Sequence, residues 1–208
     1  MLKKIIDKMA KMMTLFIYSK QKRKLKRALL VRKLRTAFYG RQILKTAKEI
    51  GKDFACNNFS TVNSNTIIRN HVNFNGMTVI GGGSCFLGNY FHSGSECLIL
   101  TENHNYEGDL IPYDSTNNTK DVIIDDCVWL GSKVTILPGT HIGEGAIIQA
   151  GAVVHGDIPR CAIVGGNPAK VFKYRNIEHF DKLKAEGKFH TTETILKQRE
   201  TFAAAERE

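Results

Sequence analysis

Acidic residues are scarce in the first quarter of this 208-residue chain. Residues 1–50 contain 16 lysines and arginines but only Asp7 and Glu49, so this segment carries a charge of +14. The net charge of the whole chain is +10, and residues 51–208 are therefore weakly acidic, at −4. The basic character belongs to the N-terminal segment alone, and we expect one core domain with extensions in the rest.

The chain also lacks the features of a secreted or membrane-spanning protein. The apolar residues of the first segment have helical spacing, but Asp7, Lys8 and Lys11 interrupt them, and no small-residue cleavage site follows. The segment is too short and too charged to span a bilayer. Five cysteines without a CxxC pair favour reduced thiols over disulfides. These absences predict a cytoplasmic protein.

The basic N-terminal segment has two open interpretations. It is either an amphipathic helix that is solvated or packed on the domain, or a helix that lies on anionic lipid through residues 1–27. In the second case the protein is peripheral on the inner membrane face, and each basic residue adds roughly 1 kcal/mol near the surface. A nucleic-acid partner is not expected, since no recognition motif or interleaved aromatic residue accompanies the charge.

A six-residue repeat organises residues 124–159, which read IDDCVW, LGSKVT, ILPGTH, IGEGAI, IQAGAV and VHGDIP. The first place of every unit is aliphatic: Ile124, Leu130, Ile136, Ile142, Ile148 and Val154. Neither the helical period of 3.6 nor strand alternation produces a repeat of six. A β-solenoid does, because short strands joined by tight corners direct one residue per unit to a shared axis. The glycines and β-branched residues exclude an amphipathic helix. Trp129 does not occupy a first place in its unit, so its side chain is expected to face outward.

A weaker form of the repeat begins at Val62, with expected first places at 62, 68, 74, 80, 86, 92 and 98. His92 stands there where an aliphatic residue is expected, which fits either a contact with a substrate or an outward turn at an irregular corner. Because Ile124 is out of phase with this run, residues 101–121 are predicted to leave the solenoid as a loop, and long loops are usually functional. The predicted organisation is a basic helical segment at 1–50, a β-helix at 51–172 and a helical tail at 173–208, which packs on the solenoid end.

The repeats, the loop and the ending AIVGGNPAK together resemble the hexapeptide-repeat acyltransferases, and among them the sugar O-acetyltransferases of the maltose and galactoside acetyltransferase kind. The resemblance covers residues 60–175 and rests on NHNYEG, IPYD, VWLGSKVTILPG and GGNPAK, which occur in that family's order. It implies an all-β solenoid, namely a left-handed parallel β-helix with a protruding loop and terminal helices. It also implies a homotrimer with acetyl-CoA in the groove between neighbouring subunits.

His104 is the candidate catalytic residue, since it lies where the chain leaves the solenoid. Acyl transfer to a sugar hydroxyl needs a base that works near neutrality, which is the range of imidazole. The resemblance matches His104 to the family's catalytic histidine and so implies a general base. The group that orients its ring stays open between a backbone carbonyl and four carboxylates: Glu102, Glu107, Asp109 and Asp114.

The resemblance also assigns residues to the two substrates. It places His92, Ser93 and Asn103 on the acceptor side. The family's cofactor contacts fall on seven positions: Trp129, Ser132, Ala150, Gly151, His155, Lys170 and Lys173. His155 stands where the family often has threonine, which leaves its side-chain contact open. Coenzyme A carries phosphates and needs such a track of cations and hydrogen-bond donors.

The resemblance therefore implies an acetyl-CoA-dependent O-acetyltransferase that acts on a sugar or on a polysaccharide or lipid-linked saccharide precursor, without a metal. One alternative is an enzyme like the γ-type carbonic anhydrases, which bind zinc with histidines from adjacent coils. The histidines at repeat positions do not form a closely spaced pair. The other alternative, a non-catalytic solenoid scaffold, would need no loop around His104.

Overall fold

The structure, a computed structural model, describes residues 23–24, 26–191 and 194. Most of segment 1–27, and with it most of the predicted amphipathic helix, lies outside these residues. The described helices are α1 at residues 26–39, α2 at Arg41–Thr46 and α3 at Ile177–Ala185. None of the described helices is long and apolar enough to cross a membrane.

Short strands make up most of the described chain. In chain order they are β1 Glu49–Ile50, β2 Ala55–Cys56, β3 Thr66–Ile68, β4 Asn73–Phe74, β5 Met77–Ile80, β6 Cys85–Leu87, β7 Cys97–Leu100, β8 Glu102–His104, β9 Asn117–Thr119, β10 Val122–Ile124, β11 Trp129–Leu130, β12 Thr135–Ile136, β13 His141–Ile142, β14 Ile147–Ile148, β15 Val153–Val154, β16 Asp157–Ile158, β17 Ala162–Gly166 and β18 Ala169–Tyr174. A strand of two residues followed by a tight corner is what a six-residue repeat requires.

The strands stack into three faces of a prism. Face 1 is a six-stranded sheet in the order β1-β3-β6-β10-β13-β16, and all of its pairs are parallel. Face 2 contains β2-β4 and β11-β14-β17-β18, which are linked through His92 by bridges to Asn73 and Trp129. Face 3 has the order β15-β12-β7-β5. The predicted fold class, a left-handed parallel β-helix with a protruding loop and terminal helices, is confirmed.

The apolar core lies along the axis of the prism. All six first-place residues between Ile124 and Val154 are 0 % exposed, and the six fifth-place residues are at most 7 % exposed. The repeat places both sets inside because each first-place residue pairs with the one a full coil away, as Ile124 does with Ile142. All five cysteines are free, and four of them are buried in the coils.

The earlier coils differ from the predicted register after Phe74. Val79 is 2 % exposed and pairs with Ile99, whereas Ile80, the expected first-place residue, is 48 % exposed. The expectation was wrong at positions 80, 86, 92 and 98, because the coils are irregular there. The inward residue comes five positions after Phe74, and the next, Leu87, comes eight positions after Val79 across a run of three glycines. His92 is therefore an outward residue of face 2 and does not replace a core aliphatic residue.

Both ends of the solenoid are covered by the chain itself. Ile43 of α2 is 0 % exposed, and the side chain of Gln42 bonds both the N–H and the C=O of Val62. At the other end, β18 folds back on β17 as an antiparallel strand. These additions protect open sheet edges from pairing with other chains. β1 already lies within the segment assigned to 1–50, and β18 extends to Tyr174, just inside the segment assigned to the tail.

Candidate active site

Residues 101–121 leave the solenoid at the corner between face 3 and face 1, after β7 and before β10. They form a hairpin in which β8 and β9 pair antiparallel, with Glu102 opposite Thr119 and His104 opposite Asn117. The predicted protrusion is therefore present, but it has strands of its own. The hairpin fixes the position of His104 by backbone hydrogen bonds, of which the Lys120 N–H to Thr101 C=O bond is 2.9 Å.

The His104 ring is exposed and is held on two sides. Its Nδ1 lies 3.1 Å from Oδ1 of Asn117, and the ring stacks on Tyr113 with centroids 4.0 Å apart and planes 6° apart. An amide oxygen accepts a hydrogen bond, which places the proton on Nδ1 and leaves the lone pair on Nε2. No other hydrogen bond joins this ring to a described residue. An imidazole in this state can accept a proton from a hydroxyl group.

None of the four candidate carboxylates orients His104. Asp114 accepts hydrogen bonds from Thr116, and Glu102 accepts one from the N–H of Gly82. The orienting group is Asn117, which sequence reasoning missed. The two hairpin strands pair so that position 117 lies opposite position 104. The sequence could not predict this pairing, because the segment shows no strand alternation.

A cavity of about 520 Å³ lies between face 2 and the C-terminal tail. Tyr90, His92 and Trp129 line it from the solenoid, and Phe189 and His190 line it from the tail. Trp129 is 53 % exposed, in agreement with its outward position in the repeat. The sequence assigned no site residue beyond Lys173, so the part that residues 180–190 play in this cavity is a second feature that the sequence did not predict.

The tail reaches the cavity because α3 is anchored along the corner between faces 1 and 2. Glu144 accepts hydrogen bonds from both Arg160 and Lys184. Phe180 packs against Gly145, where an added Cβ would lie 2.7 Å from the ring, so only glycine admits this approach. Asn176 caps α3 by accepting from the N–H of His179. The tail therefore lies on the side of the solenoid, whereas we had expected it to pack on the solenoid end.

Ring contacts continue from this anchor into the cavity. Phe189 stacks on Tyr90 with centroids 4.0 Å apart, and Tyr90 stacks on His71 at 4.7 Å. His190 stands nearly perpendicular to His92 at 5.3 Å. Burial, followed by the charges of His190 and Arg32, lowers the pKa of His92 to about 4. His92 is therefore neutral near pH 7, as a hydrogen-bonding residue of a binding pocket can be.

The predicted cofactor residues fall on two different corners. Ser132, Ala150 and Gly151 lie at the corner between faces 2 and 3, where the Gly151 N–H donates to the Ser132 C=O at 2.9 Å. Lys170 continues this edge, since it lies opposite Gly165 on β18. His155 lies at the corner between faces 3 and 1, which is the corner that carries the hairpin.

Two of the predicted cofactor residues, Trp129 and Lys173, lie in one row across face 2. Trp129 pairs with Ile147, Ile147 with Ile163, and Ile163 with Lys173. Nothing lies within 4 Å of an added Cβ at Gly151, which adopts φ +75, so the backbone there is open to a close approach.

The three predicted acceptor residues are not gathered in one place within a single chain. His92 lines the cavity on face 2. Ser93 is 2 % exposed, and its Oγ accepts a hydrogen bond from the N–H of Asn75. Asn103 is exposed on the hairpin, opposite Asn118. Within the described part of the chain, no hydrogen bond or ring contact joins the hairpin to the cavity.

Metal-ligating side chains do not cluster in the described residues. No group of three or more histidine, cysteine, aspartate or glutamate side chains has an arrangement that could hold a metal ion there. A zinc site within one chain, as the carbonic anhydrase alternative suggests, has no candidate set of ligands among these residues.

Comparison with known proteins gives a family match within the coils. Residues 121–156 match the family model described as bacterial transferase hexapeptide (six repeats). The match spans the coils from β10 to β15. A solved hexapeptide-repeat-containing acetyltransferase from Vibrio cholerae has a TM-score of 0.54 and 24 % identity, and the alignment covers 62 % of this chain and 75 % of that one. The solenoid thus shares its fold with that protein.

Two curated relatives extend the similarity beyond the family model. The galactoside O-acetyltransferase of Lactococcus lactis subsp. lactis is 36 % identical over 110 residues, which are 53 % of this chain and 52 % of that protein. The Escherichia coli (strain K12) protein WbbJ, provisionally named a lipopolysaccharide biosynthesis O-acetyl transferase, is 39 % identical over 92 residues, or 40 % of this chain and 47 % of that one. The chain thus spans about half the length of these relatives.

Proposed function

We propose that this protein is an acetyl-CoA-dependent O-acetyltransferase that moves an acetyl group to a hydroxyl group of a saccharide, with His104 as general base. The observation that carries the proposal is the exposed imidazole of His104, held by Asn117 at Nδ1 and by Tyr113 on its face. The match of residues 121–156 to the hexapeptide family model and the similarity to a galactoside O-acetyltransferase support the same activity.

In the proposed reaction Nε2 of His104 takes the proton from the acceptor hydroxyl as its oxygen attacks the thioester carbonyl. The carbon–sulfur bond then breaks, and the imidazolium returns the proton to the departing coenzyme A thiolate. No acyl-enzyme intermediate is needed, so one positioned base is sufficient. Asn117 contributes by keeping the proton on Nδ1, because a ring with its proton on Nε2 could not act at that atom.

Acetyl-CoA is proposed to bind along the corner between faces 2 and 3. Ser132, Ala150 and Gly151 offer backbone groups there, and Gly151 leaves room for a close approach. Lys170 and Lys173 are exposed on β18 and supply cations for phosphate groups. Trp129 would lie beside the thiol end of the cofactor. His155 would contact the cofactor only if the cofactor also reaches the corner that carries the hairpin.

The active unit is proposed to be a homotrimer. His104 lies on the hairpin at the corner between faces 3 and 1, whereas His92 and Trp129 lie on face 2. A groove between neighbouring subunits would let the hairpin of one subunit meet the cavity of the next. Sedimentation equilibrium should then give three times the chain mass, and a stable monomer at micromolar concentration would contradict this assembly.

The proposed location is cytoplasmic, peripheral on an anionic membrane through residues 1–27, with a polysaccharide or lipid-linked precursor as the acceptor. Helix α1 supports the membrane contact, because it continues the basic segment and exposes apolar side chains at a spacing of four residues. Leu30, Leu34 and Phe38 are 57 %, 61 % and 66 % exposed. Co-sedimentation with anionic vesicles should decrease as salt increases. Absence of binding at low salt would contradict the membrane contact.

The activity is tested by thiol release from acetyl-CoA in the presence of a panel of sugar acceptors. Replacing His104 with alanine should lower turnover about 10²–10⁴-fold, because a positioned base contributes that much. Coenzyme A affinity, measured by calorimetry, should stay unchanged. His141→Ala is the matched control, since His141 is an exposed histidine of face 1 that bonds Asp125. A His104→Ala protein that keeps more than about a tenth of turnover would exclude the assignment.

A further inference from the structure

The chain's own C-terminal tail forms the outer wall of the cavity on face 2. The tail contributes Phe180, Lys188, Phe189 and His190 to its lining, in addition to residues of the solenoid. We propose that this cavity is the acceptor pocket, that it binds a saccharide ring, and that Phe189 and His190 form the wall that determines which saccharide fits. The inference rests on the proposed function, to which it adds the place of the acceptor pocket and the residues that select the acceptor.

The wall is held in a defined place by contacts on both sides of it. Upstream, Arg160 binds Asp181 of α3, and its guanidinium lies 5.3 Å from the ring centroid of Phe180. Downstream, Thr194 Oγ1 donates to the C=O of Phe189 at 2.7 Å. The bond from Thr194 supports the backbone at residue 189, and the stacking of the Phe189 ring on Tyr90 holds that residue against the solenoid.

The lining has the chemistry that a sugar ring requires. Pockets for small ligands are mostly apolar and aromatic with a few polar groups, and a volume of about 520 Å³ lies in their usual range. Trp129 offers a broad apolar face for the C–H face of a pyranose ring. His92 and His190 offer hydrogen-bond donors and acceptors for hydroxyl groups, and the lowered pKa of His92 keeps its second nitrogen an acceptor near neutrality.

The tail, and not the solenoid, is expected to set the preference among saccharides. Trp129 belongs to the repeat, whose residues are constrained by the geometry of the coil, whereas Phe189 and His190 lie outside it. A change in these two side chains alters the shape and the polarity of the pocket without disturbing any core residue. The acetyl-CoA track on Ser132 and Lys170 lies at another corner and does not include the tail.

The first test uses steady-state kinetics on the full chain, with methyl glycosides of neutral and uronic sugars as acceptors. Phe189→Ala and His190→Ala should each raise the KM for the acceptor about tenfold or more, since losing pocket contacts of this kind changes discrimination 10- to 200-fold. The KM for acetyl-CoA should not change. His179→Ala is the matched control, because His179 lies on α3 and does not line the cavity. Unchanged acceptor KM values in both variants would overturn the proposal.

The second test does not depend on turnover. Trp129 is the only tryptophan of the chain, so its fluorescence reports directly on the cavity. The methyl glycoside with the lowest KM, or each glycoside of the panel if none reacts, should change this fluorescence. Phe189→Ala should weaken that binding, and His179→Ala should not. A signal from coenzyme A with none from any glycoside would show that the cavity holds the cofactor, which overturns the proposal.

The two tests separate this inference from the proposed function. If no acceptor releases thiol but a glycoside binds at Trp129 and loses affinity in Phe189→Ala, the acetyltransferase assignment fails and the saccharide pocket stands. If thiol is released with a saccharide acceptor but the tail variants behave as the parent does, the activity stands and the tail wall is wrong.

Discussion

The hairpin and the C-terminal tail are both additions to the same solenoid, but they are attached in different ways. The hairpin joins the coils through two strands, and its base is closed by the backbone bond between Lys120 and Thr101. Past Arg175, the tail lies against the coils through side chains, chiefly Glu144, Phe180 and the ring pair of Tyr90 and Phe189.

Because of this difference, the two regions should respond differently to a substitution of one side chain. A backbone-paired hairpin keeps its position when one side chain changes, so a substitution there should affect chemistry and leave the structure in place. A region held by side chains opens when one contact is lost, and such locally weak segments are common near binding sites. The four predictions below test this contrast.

The largest effect is expected in the hairpin. Asn117→Ala removes the acceptor that holds Nδ1 of His104 at 3.1 Å, so the ring can turn and change its tautomer. Turnover should decrease by up to about 10²-fold, the size expected of a misplaced catalytic group. Steady-state turnover and an unchanged thermal midpoint would establish this. Asn118→Ala is the control, since residue 118 pairs with Asn103 on the same strands. Full activity in Asn117→Ala would show that the amide does not orient the base.

A smaller effect is expected at the anchor of the tail. Burial raises the pKa of Glu144, but hydrogen bonds from Lys184 and Arg160 outweigh this and hold it below its ordinary value. Glu144→Gln should therefore make α3 open roughly fivefold more often, which corresponds to about 1 kcal/mol for such ion pairs. Hydrogen exchange of amides 180–185 measures the opening, while the protection of the coils should stay constant.

The same anchor has a defined pH dependence. A carboxylate with a lowered pKa in the folded state contributes stability above its unfolded pKa, and this contribution is lost as the pH falls through the folded value. The tail should thus loosen on acidification below the ordinary range of a glutamate, and Glu144→Gln should remove that dependence. Glu178→Gln serves as control, because Glu178 forms no ion pair with a described residue. Equal opening in both variants would contradict the anchor.

The smallest effect is expected inside the cavity. His190→Ala removes one of the groups that hold the pKa of His92 at about 4, so this pKa should rise toward its ordinary value. An NMR titration of the His92 ring protons measures it, with His179→Ala as the reference. In the parent protein, stability should decrease as the pH falls from about 6.5 to about 4, because the unfolded chain binds a proton there that folded His92 does not. A pKa that is the same in both variants would place His190 away from His92.

Much of the fold and part of the site could be predicted from residues alone. The hexad at Ile124–Val154 predicted the coils because a period of six permits one side chain per unit at the axis, and those residues are buried. The same reasoning gave the wrong inward residues near Ile80, because the coils are irregular there. Insertions in the corners shift the register without changing the composition. His104 could be singled out by its place at the phase break, and its role stays a prediction.

The amino-acid sequence by itself determined the solenoid, the outward position of Trp129 and the point at which the chain departs after Thr101. Only the tertiary structure decided which group orients His104 and what forms the outer wall of the cavity on face 2. The physical reason is that a repeat is a local pattern, so each six-residue unit can be recognised without reference to distant residues. The contacts of Asn117 and Phe189 depend on pairing between distant segments, and no spacing along the chain encodes them.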